Sequence, residues 1–216
     1  MKFYNSLGPN PRLVRMFMLE KGIDIPATEI DIMAGENRQA PYTDVNPAGQ
    51  MPSLTLDDGT NIAETIVICE CLGEAYPTPA LIGSTPSERA QTRMWTRRIE
   101  FKINNPLTDA FRYAEGLPTF KDRIRTIPEA ADGLKALARE GLEWLDGQLA
   151  GRDFVVGDRF TLADITLYTF LDFAPGVGQP IDPALKNVAG LLERAASRPS
   201  AEQSIHPAAK AGGMRA

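Results

Sequence analysis

The residues best suited to chemistry near the start of the chain lie in the stretch "SLGPNPRLVRMF", residues 6–17. Residues 8–11, "GPNP", interrupt regular structure, and an amphipathic run follows at once. The first N–H groups of a helix and the positive end of its macrodipole attract anions. The sequence therefore predicts an anion-binding helix start, with Asn10 at the N-cap and Pro11 at the first helical position.

A second group of suitable residues lies in "NPAGQMPSLTLDDGTNIAET", residues 46–65. A cis peptide bond before Pro52 would leave the main-chain N–H and C=O of Met51 free to pair with an extended, peptide-like ligand. Glu64 and Thr65 open the next predicted helix with an acid, a hydroxyl and free main-chain amides, which can hold the charged head of an amino acid. Gln50 adds an amide for a second carboxylate. These groups predict a ligand with an amino-acid head, a peptide middle and another carboxylate.

An α/β region over residues 1–80 must position both stretches. Strands are predicted for residues 2–6 and 27–32, on either side of a helix over residues 11–22 that Gly22 ends. Because the two strands flank a helix, they form a βαβ unit.

A predicted hairpin and helix complete this region. The hairpin has strands over residues 53–56 and 61–63, with a turn at Asp58-Gly59. The helix covers residues 64–76 and begins with the acid and hydroxyl of the second stretch. The order β-α-β-(α)-β-β-α follows.

The strand signals end at "YPTPALIGSTP", which is rich in Pro, Gly and Thr and predicts a linker. We expect one domain over residues 1–80, a linker over 81–87 and an all-helical domain over 88–216. "SERAQTRMWTRRIEFKI" predicts a long helix, bent or ended near Pro106, and helical spacing recurs over residues 129–149. "LADITLYTFLDF" is apolar nearly all round and predicts a buried helix, whereas the tail "PAAKAGGMRA" is expected to fray.

Composition excludes several classes of function. The chain has 216 residues, 43% hydrophobic and 24% charged, and a formal net charge of −5. That charge argues against nucleic acid and anionic membranes as partners, and no apolar run predicts a signal peptide or a membrane span. Cys69 and Cys71 point to different sides of a helix and are expected to be small core residues of a cytoplasmic protein. With His206 as the single histidine, we expect no metal site.

Two motifs carry a resemblance to a known family. "NPAGQMPSLTLDDGTNIAET" resembles the glutathione-binding stretch of the cytosolic glutathione transferases, in which Asn-Pro, Gly, a Val/Met-Pro pair and Glu/Asp-Ser recur. "FVVGDRFTLADITLY" resembles the family's second signature, a Gly-Asp pair followed by a capping box that opens a buried helix. Thr161 and Asp164 fit that box. The resemblance extends from Met1 to about Pro199.

The resemblance implies an α/β thioredoxin-like N-terminal domain, an all-α C-terminal helical bundle domain, and a homodimer. It implies glutathione as co-substrate, without a metal, and a transferase that conjugates glutathione to small apolar electrophiles in detoxification. The implied glutathione-binding residues are Gln50, Met51, Pro52, Glu64 and Thr65.

Activation of the glutathione thiol is the step for which the chain departs from the family pattern. Most members place Ser, Tyr or Cys near the end of the first strand, but residues 8–11 here are "GPNP", which is more similar to fungal and bacterial members that lack this residue. Lowering a thiol pKa from about 8.5 to ~6.5 requires roughly 2.7 kcal/mol of stabilisation of the thiolate. One helix N-terminus together with one hydrogen bond to the thiolate supplies about that much. We predict Asn10 as the donor, with Ser6 second and Tyr4 third. Asn10 as a helix cap alone is the alternative.

Several other residues are assigned from the family geometry. An electrophile pocket is expected to include Leu7 and Pro9 from the turn and Phe111 and Tyr113 from the helical domain, although these aromatic residues could equally belong to the core. A basic group, which is either a solvated face or attracts anionic ligands across a dimer cleft, comprises Arg93, Arg97, Arg98 and Lys102.

The same fold supports other functions that the sequence leaves open. A glutathione-dependent dehalogenase, isomerase or ether lyase is one alternative. A non-catalytic glutathione-binding regulatory module is another, because the usual hydroxyl or thiol is missing from the turn.

Overall fold

The computed structural model describes residues 1–211 and 214–216. Its strands are β1 Lys2–Asn5, β2 Ala27–Glu29, β3 Ser53–Thr55 and β4 Asn61–Ala63. Its α-helices are α1 Pro9–Lys21, α2 Tyr42–Val45, α3 Thr65–Ala75, α4 Pro86–Ile99, α5 Asn105–Tyr113, α6 Leu117–Phe120, α7 Ala131–Gln148, α8 Leu162–Phe173, α9 Lys186–Ala196, α10 Pro199–Gln203 and α11 Pro207–Ala211.

The four strands form one mixed sheet in the order β2-β1-β3-β4. β1 pairs in parallel with β2 and antiparallel with β3, and β3 and β4 form a hairpin. The predicted βαβ unit and hairpin are therefore confirmed. β2 ends at Glu29 rather than at residue 32, because β1, its neighbour in the sheet, ends at Asn5, which is paired with Glu29.

The chain divides into two compact units, whose bounds differ from the expected domains. The first unit comprises Met1–Ile82 together with Pro199–Ala216, and the second comprises Gly83–Arg198. Residues 199–216, which we expected in the helical domain, pack in the first unit. A physical reason is Arg12, which is fully buried in α1 and donates to the carbonyl oxygens of Ala201 at 2.9 Å and Arg215 at 2.7 Å.

Helix α1 begins two residues earlier than its sequence predicts. Gly8 is the N-cap, with φ 124° and ψ 160°, and Pro9 is the first helical residue. That φ favours glycine, so the helix can begin directly after it. The prediction of Asn10 as the N-cap is wrong, because Asn10 is the second residue of the helix and follows the N-cap Gly8 by two positions. Gly22 ends the helix in the left-handed conformation, as predicted.

The long helix of the second unit is interrupted near the predicted place. α4 begins at a capping box in which Glu88 accepts from the N–H groups of Ser84 and Thr85, and a hydrogen bond from Arg159 lowers the pKa of Glu88 to about 2. A π-helical turn, Glu100–Asn104, separates α4 from α5, where Pro106 supplies no N–H. The expected bend or end near Pro106 is therefore confirmed as a π-helical turn.

Helix α8 is the buried helix that its apolar sequence predicts, since all of its residues except Asp172 are buried. The capping box at its start is present: the Asp164 carboxylate accepts from the N–H and hydroxyl of Thr161 and from the N–H of Val155, each at 2.8 Å. Burial raises the pKa of Asp164 from 3.8 to about 6, against the opposing effect of these hydrogen bonds.

The C-terminal tail is more ordered than expected. Pro207–Ala211 is helical, the C=O of Ala216 accepts from the N–H of His206 at 2.8 Å, and Ala216 is fully buried. The part of the predicted frayed tail at residues 212–213 lies outside the described residues. Among the helices that the structure describes, none is long and apolar enough to cross a membrane.

Candidate functional site

The first turn of α1 offers fewer main-chain donors than an ordinary helix start. Pro9 and Pro11 have no N–H, and the N–H of Arg12 is bonded to the C=O of Gly8 at 3.1 Å. Within the described residues 9–12, the N–H of Asn10 is therefore the one first-turn main-chain donor left for a ligand. The Asn10 side-chain amide can add two further N–H donors.

A hydrogen bond joins this turn to the start of α3. The hydroxyl of Thr65 donates to Oδ1 of Asn10 at 3.1 Å. It brings two helix N-termini together, so that their macrodipoles act on the same region. Because Oδ1 accepts this bond, the Nδ2 group of Asn10 keeps its donors for another partner. The bond also uses the Thr65 hydroxyl proton, which we expected to bind a ligand carboxylate.

The other two candidate donors, Ser6 and Tyr4, lie before the start of α1 and make different contacts. Ser6 is buried, and its hydroxyl donates to the C=O of Leu7 at 3.2 Å. The ring of Tyr4 packs edge-on against the ring of Tyr42, with 5.7 Å between centroids. Asn10 is therefore the candidate whose side chain lies at the helix start with a donor group available.

The start of α3 carries backbone strain at a predicted site residue. Glu64, the N-cap of α3, has φ 69° and ψ 119°, and it is the one described non-glycine residue with positive φ. Such a conformation costs about 1–3 kcal/mol and occurs mostly at functional sites. The exposed side chain of Glu64 stands beside the free N–H groups that begin α3.

The predicted peptide-binding edge has the expected backbone. The Met51–Pro52 peptide bond is cis, and in the described part of the chain neither main-chain polar group of Met51 has a hydrogen-bond partner. The preceding loop is fixed at Gln50, whose C=O accepts from the Tyr42 hydroxyl at 2.6 Å and from Nδ2 of Asn46 at 2.8 Å. The Gln50 side chain is exposed.

Sequence reasoning missed several residues that hold these segments. Tyr42 and Asn46 fix the loop before Met51, and Asn46 already stands in the motif "NPAGQMP" without an assigned role. Arg15 bonds the end of β1 to residues almost 200 positions later, which no local pattern can reveal. A signal was nevertheless present for Arg15, because an arginine in the middle of an apolar helix face requires buried partners.

The residues expected to line an electrophile pocket fall in both units. Leu7 and Pro9 are half-buried in the turn of the first unit. Phe111 belongs to an aromatic cluster of the second unit, edge-on to Phe120 at 5.8 Å and to Phe173 at 5.6 Å. Tyr113 is half-buried at the end of α5.

The basic residues of α4 and the π-helical turn cover aromatic rings. Arg98 lies over Trp95 at 4.9 Å, and Lys102 lies over Trp144 at 5.1 Å. Arg97 lies 4.1 Å from the ring centroid of Phe101 and forms an ion pair with Glu100 at 3.0 Å. These contacts favour an exposed structural face, which also contains Arg93, over an anion site.

The surroundings of the two cysteines disfavour a reactive thiolate. Cys69 is buried, Cys71 is half-buried, and both are free; burial raises the pKa of each thiol. No group of three metal-ligating side chains is found among the described residues.

Comparisons with known proteins agree with this arrangement. Residues 8–75 match the family model "Glutathione S-transferase, N-terminal domain", and residues 128–194 match "Glutathione S-transferase, C-terminal domain". The chain is 30% identical over 202 residues to glutathione S-transferase 2 of Saccharomyces cerevisiae, covering 92% of this chain and 86% of that protein. It is also 30% identical to maleylacetoacetate isomerase of Pseudomonas aeruginosa, covering 90% of each chain.

A solved structure is similar over nearly the whole chain. The glutathione S-transferase domain-containing protein of Marinobacter aquaeolei superposes with a TM-score of 0.87 at 36% identity, covering 93% of this chain and 99% of that one. The fold is accordingly thioredoxin-like in the α/β unit and all-α in the second unit, as expected from the sequence.

Proposed function

The chain belongs to the glutathione S-transferase family, and we propose that it binds glutathione as a thiolate and conjugates it to small apolar electrophiles. The observation that carries this proposal is the Thr65–Asn10 hydrogen bond, which joins the starts of α1 and α3. A peptide held at α3 and beside Met51 can then present its sulfur to α1.

Glutathione has the groups that these residues can recognise. Its peptide middle can pair with the free N–H and C=O of Met51, and the carboxylate of its γ-glutamyl head can accept from the N–H groups that begin α3. Glu64 can accept from the ammonium group of the same head. The exposed amide of Gln50 can donate to the carboxylate at the other end.

Asn10 is the proposed donor to the sulfur. The two prolines leave the start of α1 with one free main-chain N–H, so the helix end alone supplies less than the roughly 2.7 kcal/mol needed for a two-unit fall in thiol pKa. The Nδ2 group of Asn10 adds a hydrogen bond to the anion, about 1.5–3 kcal/mol. The thiolate sulfur then forms a bond to an electrophilic carbon as the leaving group departs.

A glutathione-dependent isomerase is the second candidate, because the isomerase of Pseudomonas aeruginosa is as similar to this chain as the yeast transferase is. In that chemistry the thiolate adds to the substrate and is released again, so glutathione is not consumed. Leu7, Pro9, Phe111 and Tyr113 remain the residues proposed to contact the electrophile in either case.

Turnover of 1-chloro-2,4-dinitrobenzene, together with ultraviolet titration of the thiolate of bound glutathione, tests the proposal. We expect conjugation and a thiol pKa at least one unit below that of free glutathione. Binding of glutathione with an unshifted thiol pKa would instead favour a non-catalytic module. Isomerisation of a cis-enone without loss of glutathione would support the second candidate.

Assembly as a homodimer, a cytoplasmic location and a role in detoxification are further proposals, which rest on the family resemblance alone. Sedimentation equilibrium of the purified chain tests the first of them. A mass near 23.6 kDa would contradict a dimer, and about twice that mass would support it.

A further inference from the structure

The guanidinium of Arg15 connects three parts of the first unit. Its Nη1 donates to Oδ1 of Asn5 at 2.7 Å and to the C=O of Ser6 at 2.9 Å, and its Nε donates to the C=O of Ser204 at 2.8 Å. Burial, with the nearby charge of Arg12, lowers the pKa of Arg15 to about 10, opposed by Glu29, so the group stays charged at neutral pH. Arg15 therefore ties the end of β1 to the C-terminal residues.

The acceptors of Arg15 are themselves fixed by further contacts. Nδ2 of Asn5 donates to Glu29 at 2.6 Å, and the other Glu29 oxygen lies 3.0 Å from Nε2 of His206. Nδ1 of His206 accepts from the N–H of Ala208, so the ring proton is on Nε2 and is donated to Glu29. The end of β1 is thus held by a polar network that contacts the C-terminal residues at two places, Ser204 and His206.

The turn that this network holds leads directly to the proposed sulfur site. Ser6 is followed by Leu7 and Gly8, and Gly8 is the N-cap from which α1 and Asn10 begin. Displacement of the Ser6 carbonyl moves the chain only four residues before Asn10. A shift of a few tenths of an ångström is enough to weaken a hydrogen bond to a sulfur anion, because catalytic geometry is held within about 0.5 Å.

We propose that Arg15 is a positioning residue for thiol activation, which holds Ser6 and the turn before Asn10 in a place set by the Ser204 carbonyl. This inference rests on the proposed function. It assigns Arg15 no contact with glutathione and assigns the C-terminal residues a part in the chemistry of a turn near the N-terminus.

The three acceptors require an arginine. They lie on two sides of a planar group, Asn5 and Ser6 at Nη1 and Ser204 at Nε, which matches the fixed directions of guanidinium donors. A lysine retains the positive charge but carries its donors on one nitrogen. Lysine at this position therefore separates an effect of charge from an effect of position.

The test compares Arg15→Lys, Arg15→Gln and the unchanged protein, each saturated with glutathione. In both variants we expect the thiol pKa of bound glutathione to rise by about one unit, and kcat/KM for chlorodinitrobenzene at pH 6.5 to fall about fivefold, since the rate follows the thiolate fraction. The difference in kcat/KM between the variants and the unchanged protein should disappear near pH 9, where the thiol of bound glutathione is ionised in all three. KM for glutathione should change less than about twofold, because the recognition residues are elsewhere.

Ser204→Ala is the matched control. It removes the hydroxyl that accepts from Nε of Arg12 at 3.3 Å but keeps the carbonyl that Arg15 uses. For Ser204→Ala we expect a lower melting temperature and an unchanged thiol pKa. If the role of Arg15 were purely structural, the Arg15 variants would show the same pair of results.

Three results would overturn the inference. They are an unchanged thiol pKa in both Arg15 variants, a normal thiol pKa in Arg15→Lys with a raised one in Arg15→Gln, and equal shifts in Ser204→Ala. If the Arg15 variants do not fold, Asn5→Ala decides, because it removes one Arg15 acceptor: a raised thiol pKa supports the inference and an unchanged one contradicts it. An unshifted thiol pKa in the unchanged protein would instead refute the proposed function itself.

Discussion

Asn10 combines the features of a sulfur donor in one residue. Its main-chain N–H lies in the first turn of α1, between two prolines, and its Oδ1 is already occupied by Thr65. The Thr65 bond fixes the orientation of the amide, so that Nδ2 is the group left to donate. A residue that only capped the helix would stand at the N-cap, which is Gly8.

Replacement of this side chain should weaken activation without abolishing it. In Asn10→Ala we expect the thiol pKa of bound glutathione to rise by about one to two units, since one hydrogen bond to the anion is lost while the main-chain N–H remains. Ultraviolet titration of the bound thiolate measures the shift. Ser6→Ala is the control, because the Ser6 hydroxyl donates to Leu7, and it should leave the pKa unchanged. The reverse order of effects would assign activation to Ser6.

Glu64 offers a separate test, in which affinity and stability change differently. Glu64→Ala and Glu64→Gly both remove the carboxylate, so we expect both to bind glutathione about tenfold more weakly. Because φ is 69°, glycine should relieve strain that alanine keeps. Glu64→Gly should therefore exceed Glu64→Ala in free energy of unfolding by about 1–2 kcal/mol.

Urea unfolding and calorimetric titration of the two Glu64 variants measure these quantities. Equal stabilities would show that the conformation carries little strain in solution. Full affinity in either variant would remove Glu64 from the proposed site.

Parts of the site whose contacts are local in the sequence were predictable, and parts that depend on residues far along the chain were not. Met51 with its cis bond to Pro52 was readable from one stretch, and so was the start of α3. The N-cap of α1 was not, because asparagine and glycine are both good caps and only the backbone conformation separates them. The sequence indicates that Arg15 needs polar partners but does not identify them, since its acceptor at Ser204 is 189 positions away.

At the scale of elements, Asp164 makes the start of α8 sensitive to pH. Its carboxyl is buried, and its pKa is raised from 3.8 to about 6. The folded state therefore binds its proton more tightly than the unfolded state, so this group stabilises the fold fully below pH 4 and loses that contribution as the pH rises through 6. The change amounts to about 3 kcal/mol.

A comparison with Asp164→Asn isolates this contribution, because the asparagine does not titrate. We expect the free energy of unfolding of the unchanged protein, minus that of the variant, to fall by about 2.4 kcal/mol between pH 4 and pH 7. Urea unfolding at several pH values measures the difference. A difference that stays constant over this range would mean that Asp164 has an ordinary pKa.

Most elements followed from local patterns, and the exceptions have physical causes. α8 was predicted because apolar residues occur on nearly every side of its sequence. In the structure eleven of its twelve residues are buried. Pro106 predicted an interruption of the long helix. It did not predict that the interruption is a π-helical turn, because that form depends on packing. Gly141 of α7 lies against this turn, where an added Cβ would overlap the carbonyl oxygen of Lys102.

At the scale of the molecule, the first unit is completed by residues from the far end of the chain. Removal of residues 199–216 would delete the carbonyl acceptors of Arg12 and Arg15, and would leave the buried Arg12 and the half-buried Arg15 without these partners. We expect that truncation to cost the first unit about 3–5 kcal/mol. Loss of amide protection over residues 1–82, with residues 83–198 less affected, would be the signature in hydrogen exchange.

Lys210→Ala is a control for that truncation. It removes an ion pair with Glu202 in the same residues, and both side chains are more than half exposed. Such pairs contribute little, so protection should be nearly unchanged. Equal protection in the truncated and unchanged chains would show that the first unit does not depend on residues 199–216.

The burial of Arg12 against the C-terminal residues also sets an order of events during synthesis. Residues 1–82 leave the ribosome first, but the carbonyl groups of Ala201 and Arg215 follow only after the whole second unit. At 5–20 residues per second, the 116 residues of Gly83–Arg198 take roughly 6–23 s to translate. During that interval the nascent α/β unit holds an arginine whose acceptors at Ala201 and Arg215 have not yet been made, so its last folding step waits until those residues have been translated.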